Sequence, residues 1–125
     1  MMKYKDFGVN ILGTAYTIDV KAYNDDPAFT ERSIDGYCDN LTKKIVVCDM
    51  DTWPGFEKEP EDVRRAAERQ AMRHEIVHAF FGECGLSECA LQYNGAWSKN
   101  EEMIDWIANV GEKIYAVWEA VGCLS

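Results

Sequence analysis

Histidine, proline and basic residues are all scarce in this sequence. It has only two histidines and three prolines in 125 residues, and 13 lysines and arginines stand against 22 aspartates and glutamates. The formal net charge of −9 disfavours a polyanionic partner, because a nucleic-acid backbone or an anionic membrane surface would repel such a protein. We therefore expect no nucleic acid and no membrane among its partners.

A long apolar run is also missing. A membrane-spanning helix needs about 20 consecutive apolar residues, and the best candidate, Ile107–Val121, is interrupted by Glu112, Lys113 and Glu119. Residues 1–13 lack the charged-then-apolar order of a secretion signal. We expect a cytoplasmic protein whose five cysteines are reduced and pack as small apolar side chains. A redox pair or an additional metal ligand is the alternative for the cysteines.

The apolar pattern is that of an ordinary globular domain, and its period changes along the chain. Hydrophobic residues make up 47% of the sequence, enough for one domain with its own core. Apolar residues first alternate and later recur at steps of three and four, which predict strands and helices respectively. A single α+β domain over residues 1–125 is expected. It has a strand at 11–20, a hairpin at 36–38 and 44–48, a helix from 61 to about 82 and a last helix at about 100–121, with loops between them.

Both histidines fall in one five-residue stretch of the predicted helix, His74-Glu75-Ile76-Val77-His78. Residues at positions i and i+4 of a helix lie one turn apart on the same face, so both imidazoles can reach one metal ion. The carboxylate of Glu75 is then near the open coordination position, where it can take a proton from a water molecule. This HExxH pattern predicts a Zn²⁺ site with His74 and His78 as ligands and Glu75 as general base. The alternative is a structural pair, one histidine in the core and the other at its edge.

The third metal ligand has to come from another residue type. A catalytic zinc ion usually has three protein ligands and one water, so a carboxylate or, alternatively, a cysteine is expected. Glu101 and Asp105 are four residues apart on one face of the last helix. Glu101 could therefore bind the metal while Asp105 accepts the free N–H of a ligating histidine. Glu102, about 100° further round the helix, is the alternative ligand. The acidic turn could also serve only the helix dipole.

These residues resemble the gluzincins, zinc peptidases in which the two histidines of HExxH and a glutamate of a later helix bind the metal. Thermolysin-like members have Asn-Glu-x-x-x-Asp in that helix, which Asn100, Glu101 and Asp105 match. In size and strand–helix order the chain is more similar to the small phage- and mobile-element-encoded ImmA/IrrE-like metallopeptidases. The likeness covers about Gly36–Ala108, and the gap between His78 and the glutamates is longer than in thermolysin.

The resemblance implies a minimal zincin-like fold with a small, mostly antiparallel sheet, the HExxH helix and a C-terminal glutamate helix. It also implies that an edge strand near Ile45–Cys48 pairs with an extended peptide substrate. The alternative is an ordinary hairpin strand covered by the protein itself. A tyrosine often stabilises the oxyanion in these enzymes, and Tyr93 and Tyr37 are the candidates for that role.

The expected function is that of a zinc-dependent metalloendopeptidase acting on a specific protein or peptide. Because a domain of this size has little room for a deep cleft, we expect autoinhibition, a partner protein that confers specificity, or a narrow substrate range. The alternative is a catalytically silent, zinc-bearing interaction or inhibitor protein of phage type. A structural zinc domain is less favoured, since such a site has no need of the base Glu75. The sequence leaves open the substrate, the oligomeric state and the choice between Glu101 and Glu102.

Overall fold

The chain combines a four-stranded sheet with three α-helices over the residues that the structure describes. The structure is a computed structural model, and it describes residues 4–87 and 94–125. Its strands and helices, in chain order, are β1 (Phe7–Ile11), β2 (Thr14–Lys21), α1 (Pro27–Arg32), β3 (Gly36–Asp39), β4 (Lys44–Cys48), α2 (Glu61–Glu83) and α3 (Glu101–Val121). Short 3-10 turns lie at Tyr23–Asp25, Phe56–Lys58 and Trp97–Lys99. The predicted α+β class is confirmed.

The sheet is mixed, with the strand order β1-β2-β4-β3. β1 pairs with β2 and β3 with β4 in antiparallel fashion, whereas β2 and β4 are parallel, from Thr17 opposite Lys44 to Lys21 opposite Cys48. The expectation of an edge strand at Ile45–Cys48 is therefore wrong. β2 covers one side of β4 and β3 covers the other, so β3 is the edge strand next to the predicted site.

The first strand of the sheet is not evident from the alternation of apolar residues. The sequence predicts one strand over residues 11–20, but the chain turns back at Leu12 and Gly13, whose φ angles are 52° and 93°. Two consecutive positive φ angles are typical of a tight hairpin turn of type I′. The preceding strand, β1, is largely exposed, which is why its sequence carries little periodic signal. The predicted loop before β3 likewise contains α1, which Asp26 caps by accepting a hydrogen bond from the N–H of Ala28.

The two long helices were predicted nearly to their ends. α2 starts directly after Pro60, and Gly85, with a φ of 72°, follows its last turn. α3 starts after Asn100, whose side chain accepts a hydrogen bond from the N–H of Met103. Side chains of this type stabilise a helix start because they pair a backbone donor that has no partner inside the helix. No helix among the described residues is long and apolar enough to cross a membrane.

α2 forms the centre of the molecule because one of its faces packs on the sheet and another on α3. The core between α2 and the sheet contains Met72, Ile76, Ala79 and Phe80 of the helix and Tyr16, Ile18, Ile45 and Val47 of the strands. On the side of α3, the rings of Phe81 and Trp106 are stacked with centroids 4.4 Å apart. Arg73 Nη1 also donates a hydrogen bond to the carbonyl of Cys123. The HExxH segment therefore belongs to the most buried helix of the fold.

A polar cluster ties the C-terminal end of α2 to the sheet. Glu83 accepts hydrogen bonds from the hydroxyls of Thr14 at 2.5 Å and Tyr16 at 2.7 Å, and it pairs with Lys43 at 2.8 Å. These partners, Lys43 first, lower the pKa of Glu83 to about 2. The charged carboxylate is therefore the form that holds this end of the helix in place.

Four cysteines lie in the described part of the chain, and all four are free thiols, as expected. Cys48 and Cys123 are buried, which fits the prediction of small apolar packing. Cys38 is half-buried on β3, where burial raises the pKa of its thiol to about 12. Cys84 is exposed, and Cys89 lies outside the described residues.

Candidate metal centre

His74 and His78 lie one turn apart on α2, and both side chains are exposed. Their Nε2 atoms are 3.1 Å apart, and the two rings meet edge to face with centroids 4.8 Å apart. The helix alone sets this proximity, because residues four apart share a face. The sequence prediction that both imidazoles reach one point is therefore met by the geometry.

The separation of the two nitrogens can be compared with that in a zinc site. Zn–N bonds are about 2.0–2.1 Å long and structural zinc sites are tetrahedral, which places two ligating nitrogens about 3.3 Å apart. The observed 3.1 Å is close to this value. The pKa of His78 is lowered by its partial burial and by His74, so the neutral imidazole, which has a lone pair for a metal, is favoured. The donor set and its spacing thus fit a divalent ion.

Glu75 follows His74 on the helix and, unlike the two histidines, is buried, with only 6% of the residue exposed. Its side chain lies against β3, where a Cβ placed on Gly36 would come within 3.3 Å of Glu75 Cγ and 3.1 Å of the Val46 carbonyl oxygen. A glycine on the edge strand therefore leaves the space that the carboxyl group occupies. His74, Glu75 and His78 place one potential ligand atom each within 4.8 Å of one another, so this group could hold a metal ion.

The environment of Glu75 raises the pKa of its carboxyl group. Burial is the main cause, and the nearby carboxylate of Asp35 adds to it, while the charge of His74 acts in the opposite direction. A carboxylate with a raised pKa is a better proton acceptor near neutral pH than an exposed glutamate. The Glu75 carboxyl group could therefore transfer a proton at the cleft that it lines.

That cleft, of about 640 Å³, opens beside His74 and Glu75. Its wall is largely apolar on the side of the segment that follows β4, and Asp35 and Gln70 add polar atoms. The residues that line it are Ser33, Ile34, Asp35, Gly36, Met50, Trp53, Phe56, Ala67, Gln70, Ala71, His74 and Glu75. Sequence reasoning missed Asp35, Met50, Trp53 and Phe56 as site residues because they lie in segments predicted as loops. The available signal in the sequence was the pair of aromatic residues, Trp53 and Phe56, that follows the buried strand β4.

The first turn of α3 carries the predicted third ligand. Glu101, Glu102 and Asp105 are all exposed, and none of them belongs to the His74–Glu75–His78 group within the described residues. Glu101 is nine residues, or half a turn, from Val110, which packs against the core, so it lies on the far side of the helix. Glu102 is about 80° from the direction of Val110. Glu102 therefore lies nearer the core-facing side of α3 than Glu101, the residue that the spacing in the sequence favours as the ligand.

The two tyrosines considered as oxyanion stabilisers are not brought to the histidines. Tyr93 lies outside the described residues. Tyr37 packs with Phe29 on the face of the sheet away from α2, and its hydroxyl donates a 2.6 Å hydrogen bond to Asp26. Alternation along β3 explains this placement, because Gly36 faces Glu75 and the next residue must face the other side.

The geometry of the site stands without support from known proteins. Comparison of the chain with protein-family models, with curated proteins and with solved structures gives no match. Neither the zincin-like fold nor the peptidase activity therefore follows from a relative.

Proposed function

We propose that this protein is a zinc-dependent metallopeptidase with a minimal zincin-like fold, which hydrolyses a peptide bond in a protein substrate. The observation that carries the proposal is the arrangement on α2. Two imidazole nitrogens lie 3.1 Å apart, and the buried Glu75 lies beside them in the wall of an open cleft. A purely structural site does not need a buried carboxylate with a raised pKa beside the two histidines.

His74 and His78 would hold the metal, together with one carboxylate from the first turn of α3, Glu102 or Glu101. When bound, Zn²⁺ supplies a Lewis acid that polarises the scissile carbonyl and acidifies water. The protein's own contribution at this point is to hold both imidazoles on one rigid helix face.

Glu75 is the general base of the proposed reaction. It accepts a proton from the attacking water molecule and passes this proton to the nitrogen of the leaving amine. Its burial and the proximity of Asp35 raise its pKa, which suits a group that must both take and release a proton. The space beside Gly36 fixes the position of the carboxyl group against β3.

The cleft and the edge strand β3 are the places where a substrate would bind. The wall formed by Met50, Trp53 and Phe56 suits a large apolar side chain next to the scissile bond. Among residues 4–87 and 94–125, β3 has a sheet partner on one side only, so an extended peptide could add to it through main-chain hydrogen bonds. Binding of this kind gives affinity with little sequence selectivity, and the cleft would supply the selectivity.

Substitution of Glu75 by glutamine tests the proposal. We expect Glu75→Gln to bind zinc as wild type does but to cleave peptides about 10²- to 10⁴-fold more slowly, the usual contribution of a general base. Cleavage of a peptide library, followed by mass spectrometry, and zinc content by elemental analysis give the two readouts. Glu57→Gln, an exposed residue outside the cleft, is the control and should behave as wild type.

The alternative function would give a different result. If the wild-type protein carries one zinc ion per chain and cleaves neither the library nor a partner protein, the peptidase proposal fails. The protein is then a zinc-bearing interaction protein, and Glu75→Gln should leave its biological effect unchanged.

A further inference from the structure

One side of α3 exposes a stripe of apolar residues that the fold does not use. Ile107 and Tyr115 are each 52% exposed and Ile104 is 41% exposed. These residues, with Ala108 and Gly111, recur at steps of three and four along the helix, so they form one continuous face. The core-facing row of the same helix, with Trp106, Val110 and Ile114, lies directly beside it. Ile107 is on the border of the two, since it is seven residues from Ile114. α3 therefore has two apolar faces, and only one of them packs within the described part of the chain.

A row of carboxylates runs along one edge of the exposed stripe. Glu101, Asp105, Glu112 and Glu119 are separated by four, seven and seven residues, a spacing that keeps them on one line along the helix. All four side chains are exposed. The ion pairs of Lys21, Lys43, Arg64 and Arg65 lie elsewhere in the described residues. These pairs therefore leave the negative charge of the row in place.

Gly111 lies in the middle of this face, where the helix itself has no need of a glycine. A Cβ at this position would meet only Ile107 Cγ2, at 3.9 Å, and the residue has no positive φ. Glycine inside a helix costs about 1 kcal/mol relative to alanine. Because Gly111 has no side chain, it leaves a shallow gap on the surface between Ile104, Ile107 and Tyr115. Such a gap lets the backbone of a second helix come close, since the distance between packed helices depends on the side chains at the contact.

We propose that the exposed face of α3, defined by Ile104, Ile107, Ala108, Gly111 and Tyr115, is a docking surface for a basic amphipathic helix of a partner protein. Charge complementarity selects this occupant. The partner's apolar stripe covers the α3 face, and a row of lysines or arginines beside it pairs with the carboxylates. A second copy of this chain fits less well, because it would bring a second acidic row and a second net charge of −9 to the same contact. The five residues of the face are not part of the proposed metal centre. The acidic row shares only Glu101 and Asp105 with it, and the variants described below leave both unchanged.

Synthetic peptides provide the test. The basic probe is a 20-residue helical peptide with leucines on one stripe and lysines on the row beside it, and the acidic probe has glutamates in place of the lysines. Fluorescence anisotropy measures the binding of each labelled peptide to the full chain. We expect the basic probe to bind, with an affinity that falls as salt rises, and the acidic probe to bind at least about tenfold more weakly.

Two variants of α3 should change this result in defined ways. The double reversal Glu112→Lys/Glu119→Lys should weaken binding of the basic probe about tenfold and strengthen binding of the acidic probe. Gly111→Leu should fill the gap and abolish binding while the melting temperature stays the same or rises, since leucine is a better helix former than glycine. A merely structural role of Gly111 would lower the melting temperature instead. Glu31→Lys/Glu57→Lys makes the same change of charge at exposed sites elsewhere and should bind the basic probe as wild type does.

Three outcomes would overturn the proposal. The wild-type chain could bind both probes equally, or the Glu31→Lys/Glu57→Lys control could weaken the basic probe as much as the α3 reversal does. In the third outcome, sedimentation velocity would show a wild-type dimer that Ile107→Asp converts to monomer. The face would then be a contact between two copies of the chain.

Discussion

At the scale of single residues, the candidate site depends on a glycine as much as on its charged groups. Glu75 is buried between α2 and β3, and Gly36 is the strand residue that faces it. Any side chain at Gly36 would compete with the carboxyl group for the same space. The position of the proposed base is therefore set by a residue that has no chemistry of its own.

Gly36→Ala is expected to lower the free energy of unfolding by about 1–3 kcal/mol, the usual cost of overpacking a filled core. The added Cβ would lie 3.1 Å from the backbone oxygen of Val46, which has little freedom to move. Because the same methyl group displaces Glu75, peptide cleavage should fall further than the loss of folded protein explains. Denaturant unfolding and the cleavage assay measure the two effects.

Gly8→Ala is the matched control for that substitution. Gly8 lies on β1, and a Cβ there would meet nothing within 4 Å. Its effect on unfolding should stay within about 0.5 kcal/mol, as is usual for exposed positions. Equal losses of stability in the two variants would show that Gly36 is not a tight contact.

At the scale of elements, α2 is held at both ends by different means. Its N-terminal half packs against the segment after β4, where the buried Glu68 accepts a hydrogen bond from the N–H of Met50 and pairs with Arg65. Its C-terminal end is tied to the sheet by Glu83 and its partners Tyr16 and Lys43. The helix that carries the histidines is thus fixed by ionised groups as well as by its apolar face.

The Glu83 cluster predicts a dependence of stability on acid pH. The folded pKa of Glu83 is about 2, below its ordinary value of 4.5, so the stabilisation is present above pH 4.5 and is lost as the pH falls from 4.5 toward 2. Glu83→Gln should lower the free energy of unfolding by about 1–2 kcal/mol at neutral pH. This is less than the free energy that corresponds to the full pKa shift, because the Lys43 side chain is 40% exposed and solvent screens its charge.

Urea unfolding of wild type and Glu83→Gln at several pH values tests this prediction. The two stabilities should converge as the pH approaches 2, since other carboxylates titrate alike in both proteins. The free energy of unfolding of Glu57→Gln should follow that of wild type over the whole pH range. A constant difference between Glu83→Gln and wild type at every pH would contradict the ionic explanation.

At the scale of the whole molecule, the proposed metal centre would require two helices, and their relative orientation would decide which carboxylate completes it. Glu102 lies nearer the core-facing side of α3 than Glu101, and Trp106, one turn later, stacks on Phe81 of α2. We therefore expect Glu102→Ala to lose most of its zinc, whereas Glu101→Ala keeps it. Elemental analysis after gel filtration measures this, and a zinc loss confined to Glu101→Ala would restore the choice that the sequence favours.

The sequence was sufficient for features that depend on local periodicity. The bounds of α2 and α3 follow from apolar spacing and from Pro60 and Asn100 at their starts, and the pairing of His74 with His78 follows from the helix alone. Features that depend on distant contacts were not accessible. The parallel pairing of β2 with β4 made β3 the edge strand, and no residue of β4 indicates which strand pairs with it.

The third ligand was ambiguous for a physical reason. Asn100 and the two glutamates after it form a helix start, in which an N-cap and acidic residues are favoured whatever else they do. The same three residues therefore fit both a metal-binding motif and an ordinary helix N-terminus. Only the rotation of α3 about its own axis, which tertiary packing sets, separates Glu101 from Glu102.

The position of both histidines on the most buried helix has a consequence for motion. Segments that carry function often open locally, at a free energy well below that of global unfolding. Residues 74–78 cannot do so, because Ile76 between the two histidines is completely buried in the core. Amide hydrogens of this turn should exchange with solvent only when the whole domain opens. The part of the site on α2 is therefore preformed, and any adaptation to a ligand has to come from the segments around it.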